Sequence, residues 1–159
     1  MTPLFKKLNL KDQTDILVLN APPSFEPELA ALEGVRVHRD GQALAAITFA
    51  LAFVTTQAAV DELARVIAAK VQGDGVVWFA YSKTSSKRFT CDFNRDTGWQ
   101  ILGELGYEGV RQVAIDTDRS ALRFRRVDYI KNLTRDPKRA MTKAGKERVT
   151  PAATVPPNP

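Results

Sequence analysis

The sequence holds one cysteine, Cys91, and one histidine, His38, among 159 residues. A lone cysteine excludes an internal disulfide, and one cysteine with one histidine excludes a zinc site built from those ligands. No apolar run is long. The longest, residues 47–54, falls far short of the roughly 20 residues that cross a bilayer. The first thirteen residues are broken by Lys6, Lys7 and Lys11 and hold no apolar stretch for a secretory leader. The chain is therefore expected in the cytoplasm, with no membrane partner. Glycine-rich phosphate loops of the G-x-x-x-x-G-K-[ST] type are absent, and no serine sits in a nucleophile-elbow context. His38 has no partner recognisable from spacing, and Cys91 no histidine constellation, so both are expected to be structural. No catalytic residue and no metal ligand is assigned.

What is present is an ordinary globular composition, 44% hydrophobic and 26% charged. A chain of this length argues for one domain that buries roughly two-thirds of its unfolded surface. The formal charge of +5 is unevenly placed. Residues 1–130 carry 16 basic and 16 acidic side chains, whereas residues 131–159 carry seven basic and two acidic, which is the entire net charge. Two segments are therefore expected: an α/β domain over 1–130 and a basic, disordered tail over 131–159, whose composition has too little apolar surface to offset ordering entropy.

Along the domain, residues 16–19 form a short apolar run that suits a strand buried on both faces. Ser24 then reads as an N-cap, with Glu26, Pro27 and Glu28 in the first turn and Gly34 closing the helix. Residues 35–38 alternate like an edge strand, and 47–54 read as a central strand. Residues 57–71 give the clearest helix. Val60, Leu63, Ala64, Ile67 and Val71 share one face, Thr56 caps the start, and Gly73 and Gly75 end it. Residues 76–81 form a third buried strand. Phe89, Cys91 and Phe93 alternate as a short strand would. Asp96 caps a last helix containing Trp99, Leu102 and Leu105, with Trp99 expected to anchor it to the sheet. Residues 110–115 and 121–127 are strands too close in sequence for a parallel crossover, so they pair as an antiparallel hairpin, with Arg123 and Arg125 on the opposite side from Leu122 and Phe124.

This order predicts a Rossmann-like, mostly parallel sheet of about six strands, in the order 2-1-3-4-6-5, ending in an antiparallel hairpin with helices on both faces. One link is awkward. Residues 40–46 are too few for a covering helix, although extended they reach about 24 Å. Antiparallel pairing of the second and third strands is the competing reading.

The first strand with its loop, the Gly73-Asp74-Gly75 turn leading into residues 76–81, and the terminal hairpin resemble the methyltransferase-type Rossmann fold over residues 11–127. More closely, residues 15–23, 76–83 and 120–126 resemble an uncharacterised bacterial family, a domain of unknown function, of small methyltransferase-like Rossmann domains. The resemblance implies the fold. That fold binds its cofactor with a glycine-rich loop after the first strand, whose glycines allow a tight turn and close backbone approach. Here those places carry Asn20, Pro22 and Ser24, and Val18 stands where an acid is usual. Prolines fix φ and remove donors, so no cofactor is expected and S-adenosylmethionine least of all. Asp40, at the end of the second strand, is the one residue placed to hold a ribose. A solvated turn aspartate is the competing reading.

Ligands of open α/β sheets bind at the carboxyl ends of the strands, where strand order reverses. The reversal is expected between the first and third strands. The loops meeting there contribute Asn20, Pro22, Ser24, Thr55, Ser82, Lys83, Lys87 and Arg88. Hydroxyls with three cations suit a small anionic ligand, against a solvated polar loop as the alternative. Three functions remain open: a non-catalytic or ligand-sensing domain with a degenerate cofactor loop, a divergent methyltransferase-type enzyme, and a nucleic-acid-associated protein making weak contacts through its basic tail.

Overall fold

The computed structural model describes residues 2–83 and 98–130. It opens with a short helix α1 (Pro3–Lys7), an element the sequence pattern does not announce. Thr2 Oγ1 accepts the Phe5 amide at 3.1 Å, Pro3 takes the first turn, and Lys6 and Lys7 face the negative end of the helix. Five residues are too few for a helical period, and α1 holds through burial of Phe5 and the following Leu8.

The strands β1 (Asp15–Leu19), β2 (Arg36–His38), β3 (Ile47–Phe53), β4 (Val71–Ser82), β5 (Tyr107–Ala114) and β6 (Arg119–Arg126) form one mixed sheet in the order β2-β1-β3-β4-β6-β5. β1 pairs in parallel with β2 and β3, and β3 pairs in parallel with β4. β6 runs antiparallel to β4 and β5. The strand order is the expected one, and the reversal falls between β1 and β3. The antiparallel alternative for the second and third strands is excluded, because β1 lies between them. The short link works through a 3-10 turn, Gly41–Ala43, capped by the Asp40 carboxylate. Gly41 is buried there, and a Cβ on it would lie 2.7 Å from Val66 Cγ1, so only glycine lets the turn press against the next helix.

That helix, α3, spans Gln57–Ala68 and follows a second short helix, α2 (Glu26–Ala30); a third, α4 (Gln100–Glu104), precedes β5. Thr56 caps α3 as expected, its Oγ1 accepting the Ala59 amide at 3.1 Å. The helix ends before Val71, which the sequence reading assigned to its apolar face. Val71 instead begins β4, paired with Ile47, and the ladder then shifts register before resuming at Phe49 and Val76. Gly73, at φ 54°, lies within that irregularity rather than at a helix end. Ser24 is likewise not an N-cap. The chain enters a 3-10 turn at Pro23–Phe25, capped by Pro22, and α2 starts behind Phe25 with no side-chain cap. Trp99 precedes α4, and Asp96, expected as its cap, lies outside the described residues, as do Phe89, Cys91, Phe93 and residues 131–159.

The buried apolar residues fall into two clusters, each drawing on sheet residues. Val77, Phe79 and Tyr81 join Val60, Ala64 and Ile67 of α3 and Trp99, Ile101 and Leu102 around α4. Val76, Trp78 and Ala80 join Phe5 of α1, Leu8, Leu10, Phe25 and Leu29 of α2. The period of two along β4 thus sends alternate side chains to different clusters. Trp99 anchors its helix as expected, edge-on to Phe79 and Tyr81 at 6.0 and 5.6 Å between ring centres. No helix among the described residues is long and apolar enough to cross a membrane.

Candidate functional site

Because β1, β3 and β4 are parallel, the loops that follow them emerge at one edge of the sheet. That edge brings together Asn20, Pro22 and Ser24 after β1, Thr55 after β3, and Ser82 and Lys83 at the end of β4. The β3–β4 register, which pairs Phe53 with Ala80, continues to Val54, whose amide donates to the Ala80 carbonyl at 2.9 Å. Lys83 and Pro22 share this edge. Lys87 and Arg88 lie outside the described residues.

The loop after β1 is built to turn inward. Asn20 adopts φ 59°, a left-handed conformation that asparagine tolerates better than most residues. The Phe25 amide donates to the Pro22 carbonyl at 2.9 Å, closing the 3-10 turn. Phe25 is 4% exposed, with its ring centre 4.9 Å from that of Phe53 at the end of β3 and 6.0 Å from Phe5. An aromatic side chain therefore fills the ground beside the β1–β3 reversal. Pro22 is half-buried and Ser24 exposed.

Two nearby acids, Glu26 and Asp40, are already employed. Arg39, just beyond β2, grips Glu26 with both guanidinium nitrogens, Nη1 to Oε2 at 2.6 Å and Nη2 to Oε1 at 2.8 Å. That hydrogen-bonded pair lowers the Glu26 pKa and raises that of Arg39. The carboxylate of Asp40 accepts the Gln42 amide at 2.9 Å and serves as a turn cap.

Ser82 is 2% exposed, and its hydroxyl has no hydrogen-bond partner among the described residues. A buried unpaired hydroxyl is costly and calls for an explanation. Opposite Ser82 in the β4–β6 ladder stands Arg119, whose side chain is 12% exposed. Arg119 is held by the hairpin turn. Asp116 Oδ1 accepts the amides of Asp118 and Arg119, both at 2.8 Å, and the Lys83 amide donates to the Asp118 carbonyl at 2.8 Å. The sequence reading missed Arg119, because only the antiparallel pairing of β6 with β4 brings the start of β6 to the carboxyl edge.

The opposite edge holds the one feature that spacing concealed about His38. Its Nε2 lies 2.8 Å from Asp15 Oδ1, a partner 23 residues away in sequence on the neighbouring strand. A carboxylate only accepts, so Nε2 carries the proton. This bond is the main reason the Asp15 pKa falls below its ordinary value, with slight burial opposing it and Thr14 and Arg36 assisting. Asp15 lines two open depressions at the amino ends of the strands. One, of about 650 Å³, is shared with Thr48, Gln72 and Asp74. The other, of about 500 Å³, is shared with Gly34, Val35 and Arg36. Among the described residues no three His, Cys, Asp or Glu side chains converge as metal ligands.

The Asp15–His38 clasp has a definite pH signature. The folded pKa of Asp15 lies below its ordinary 3.8, so its contribution to stability is full above that value and is lost as pH falls through the folded pKa. An Asp15→Asn variant is therefore expected to show a shallower loss of stability than the parent as pH falls below about 4. Urea midpoints measured against pH check this, and parallel acid limbs would remove the clasp from the account.

The sequence matches no protein-family model and no curated protein.

Proposed function

We propose that this chain is a Rossmann-like, non-catalytic domain that senses a small anionic ligand at the carboxyl edge of its sheet. The fold reading is supported by three parallel pairings out of five and by the two core clusters, one drawing on α1 and α2 and the other on α3 and α4. It agrees with the resemblance to small methyltransferase-like domains.

The observation that carries the functional reading is the inward loop after β1. A methyltransferase-type site leaves this loop open so that glycine backbone can approach the cofactor. Here Phe25 packs against Phe53 in that position, and Pro22 and Pro23 offer no amide donors. Asp40, the candidate ribose acid, is committed to Gln42. The ligand reading rests on the unpaired Ser82 hydroxyl beside Arg119 and Lys83, a donor set that suits a carboxylate or phosphate.

Two measurements test this. Calorimetry with S-adenosylmethionine is expected to show no binding in the micromolar range; a micromolar dissociation constant would overturn the reading in favour of a divergent methyltransferase. A Ser82→Ala variant is expected to be at least as stable as the parent, because it removes a buried hydroxyl that has no partner. It is also expected to lose any thermal stabilisation that a panel of small carboxylates and phosphates gives the parent. Stabilisation that survives in Ser82→Ala would place the ligand elsewhere.

A further inference from the structure

The antiparallel half of the sheet carries a second cationic group, away from the carboxyl-edge loops. Arg123 and Arg125 alternate with Phe124 along β6 and so point away from the Phe124 cluster, to the side of Trp78. Arg111 of β5 stands directly opposite Arg123 in register, which puts their Cβ atoms about 5 Å apart. Three guanidiniums therefore share one patch. Two carboxylates lie with them. Asp74 is taken by Arg125 in a forked pair, with Nε to Oδ1 at 2.8 Å and Nη2 to Oδ2 at 2.6 Å. Glu108, opposite Arg125, is fully buried and has an interaction of its own.

Arg123 is the anomaly. It is half-buried, and its Nε is sealed from solvent with no hydrogen-bond partner among the described residues. Burial, reinforced by the charges of Arg125 and Arg111, pushes its pKa down, while Asp74 opposes this. A protein that placed these residues only for stability would be expected to pair them, because an unmet buried donor on a charged group is costly. An oxyanion lying between Arg111 and Arg123 would relieve the repulsion between them, meeting the outer nitrogens of the two guanidiniums rather than the sealed Nε. Guanidinium forks match phosphate oxygens two at a time.

We propose that Arg111 and Arg123, steadied by the Arg125–Asp74 pair, form a phosphate-binding site on the β5–β6 face. It is separate from the carboxyl-edge ligand site and does not depend on it. The phosphate belongs either to a free small molecule or to the backbone of a nucleic-acid strand.

The test uses the full chain and an Arg111→Gln/Arg123→Gln double variant, with Arg65→Gln on α3 as the control. Inorganic phosphate is titrated by thermal shift, and a twelve-residue single-stranded oligothymidylate by fluorescence anisotropy across a range of salt. Stabilisation by phosphate that is lost only in the double variant supports a site for free phosphate. An oligonucleotide affinity that falls at least tenfold only in the double variant, with a salt slope shallower by about 0.7 for each arginine removed, assigns the phosphate to a nucleic-acid strand. Unchanged behaviour of the double variant with both probes overturns the site. So does a twelve-residue oligoglutamate that binds the parent as tightly as the oligonucleotide, since the recognition is then not of phosphate. If the double variant does not fold, the parent labelled at arginine Nε is titrated with phosphate by NMR, with Arg123→Lys identifying the Arg123 signal. A saturable shift of that signal supports the site, and an unmoved signal overturns it.

Discussion

Trp78→Ala is expected to lower the stability of the domain by about 3–5 kcal/mol, the range for removing a large buried aromatic. Trp78 is completely buried in β4, and its indole Nε1 donates to the Leu8 carbonyl at 2.8 Å across 70 residues of sequence. One side chain thus fills the centre of the cluster formed with Phe5, Leu8 and Leu10 and also ties the segment after α1 to the sheet. Domains of this size are stable by only about 5–15 kcal/mol, so the loss is a large fraction of the total. It should lower the melting temperature by roughly 10 °C. Trp78→Phe separates the two roles. It keeps most of the apolar volume but leaves the Leu8 carbonyl without its donor, at a cost of about 1–3 kcal/mol. Equilibrium urea unfolding measures both variants. A loss below about 1 kcal/mol for the alanine variant would mean that the N-terminal segment does not pack on β4 as described.

Phe25→Ala is the second large effect, expected at about 3 kcal/mol. Phe25 is the buried aromatic that carries the loop after β1 into the core, through its contacts with Phe53 and Phe5. A double-mutant cycle with Phe53→Ala should return a coupling of about 0.5–1.5 kcal/mol, as for other aromatic pairs. Limited proteolysis should quicken between residues 20 and 30, because Phe25 is the buried residue of the turn and the short helix behind it is left with Leu29 and the Glu26–Arg39 pair. A near-neutral variant would show that the crevice beside the β1–β3 reversal is open in solution. It would also remove the main support for a domain without a cofactor.

How legible the domain was depended on whether the signal was local. The buried strands at Ile16, Phe49 and Phe79 and the amphipathic helix behind Thr56 announced themselves, because a run of apolar residues or a 3.6-residue stripe is a property of consecutive residues. The strand order followed from the succession of strands and helices taken as a Rossmann-like plan, while the short link over residues 40–46 left the pairing of the second and third strands open. Boundaries at glycine were less legible. Val71 fits both a helical stripe and a strand start, and its pairing with Ile47 decided between them. The turn at Ser24 is ambiguous for a similar reason. A serine before two glutamates suits an N-cap, yet burying the Phe25 ring places the helix start one residue beyond it.

The amino-acid sequence by itself determined the α/β class, the expected strand order, the neutral residues 1–130 with their basic continuation, and a first loop that carries Asn20, Pro22 and Ser24. These rest on composition, periodicity and loop length. Only the tertiary structure decided that His38 meets Asp15, that Asp40 spends its carboxylate on a turn, that Ser82 is left beside Arg119, and that Arg111 joins Arg123 and Arg125. Apart from the local turn at Asp40, each of these joins residues that the chain separates and strand pairing brings together. Register across a sheet is set by the packing of the whole face rather than by any one segment.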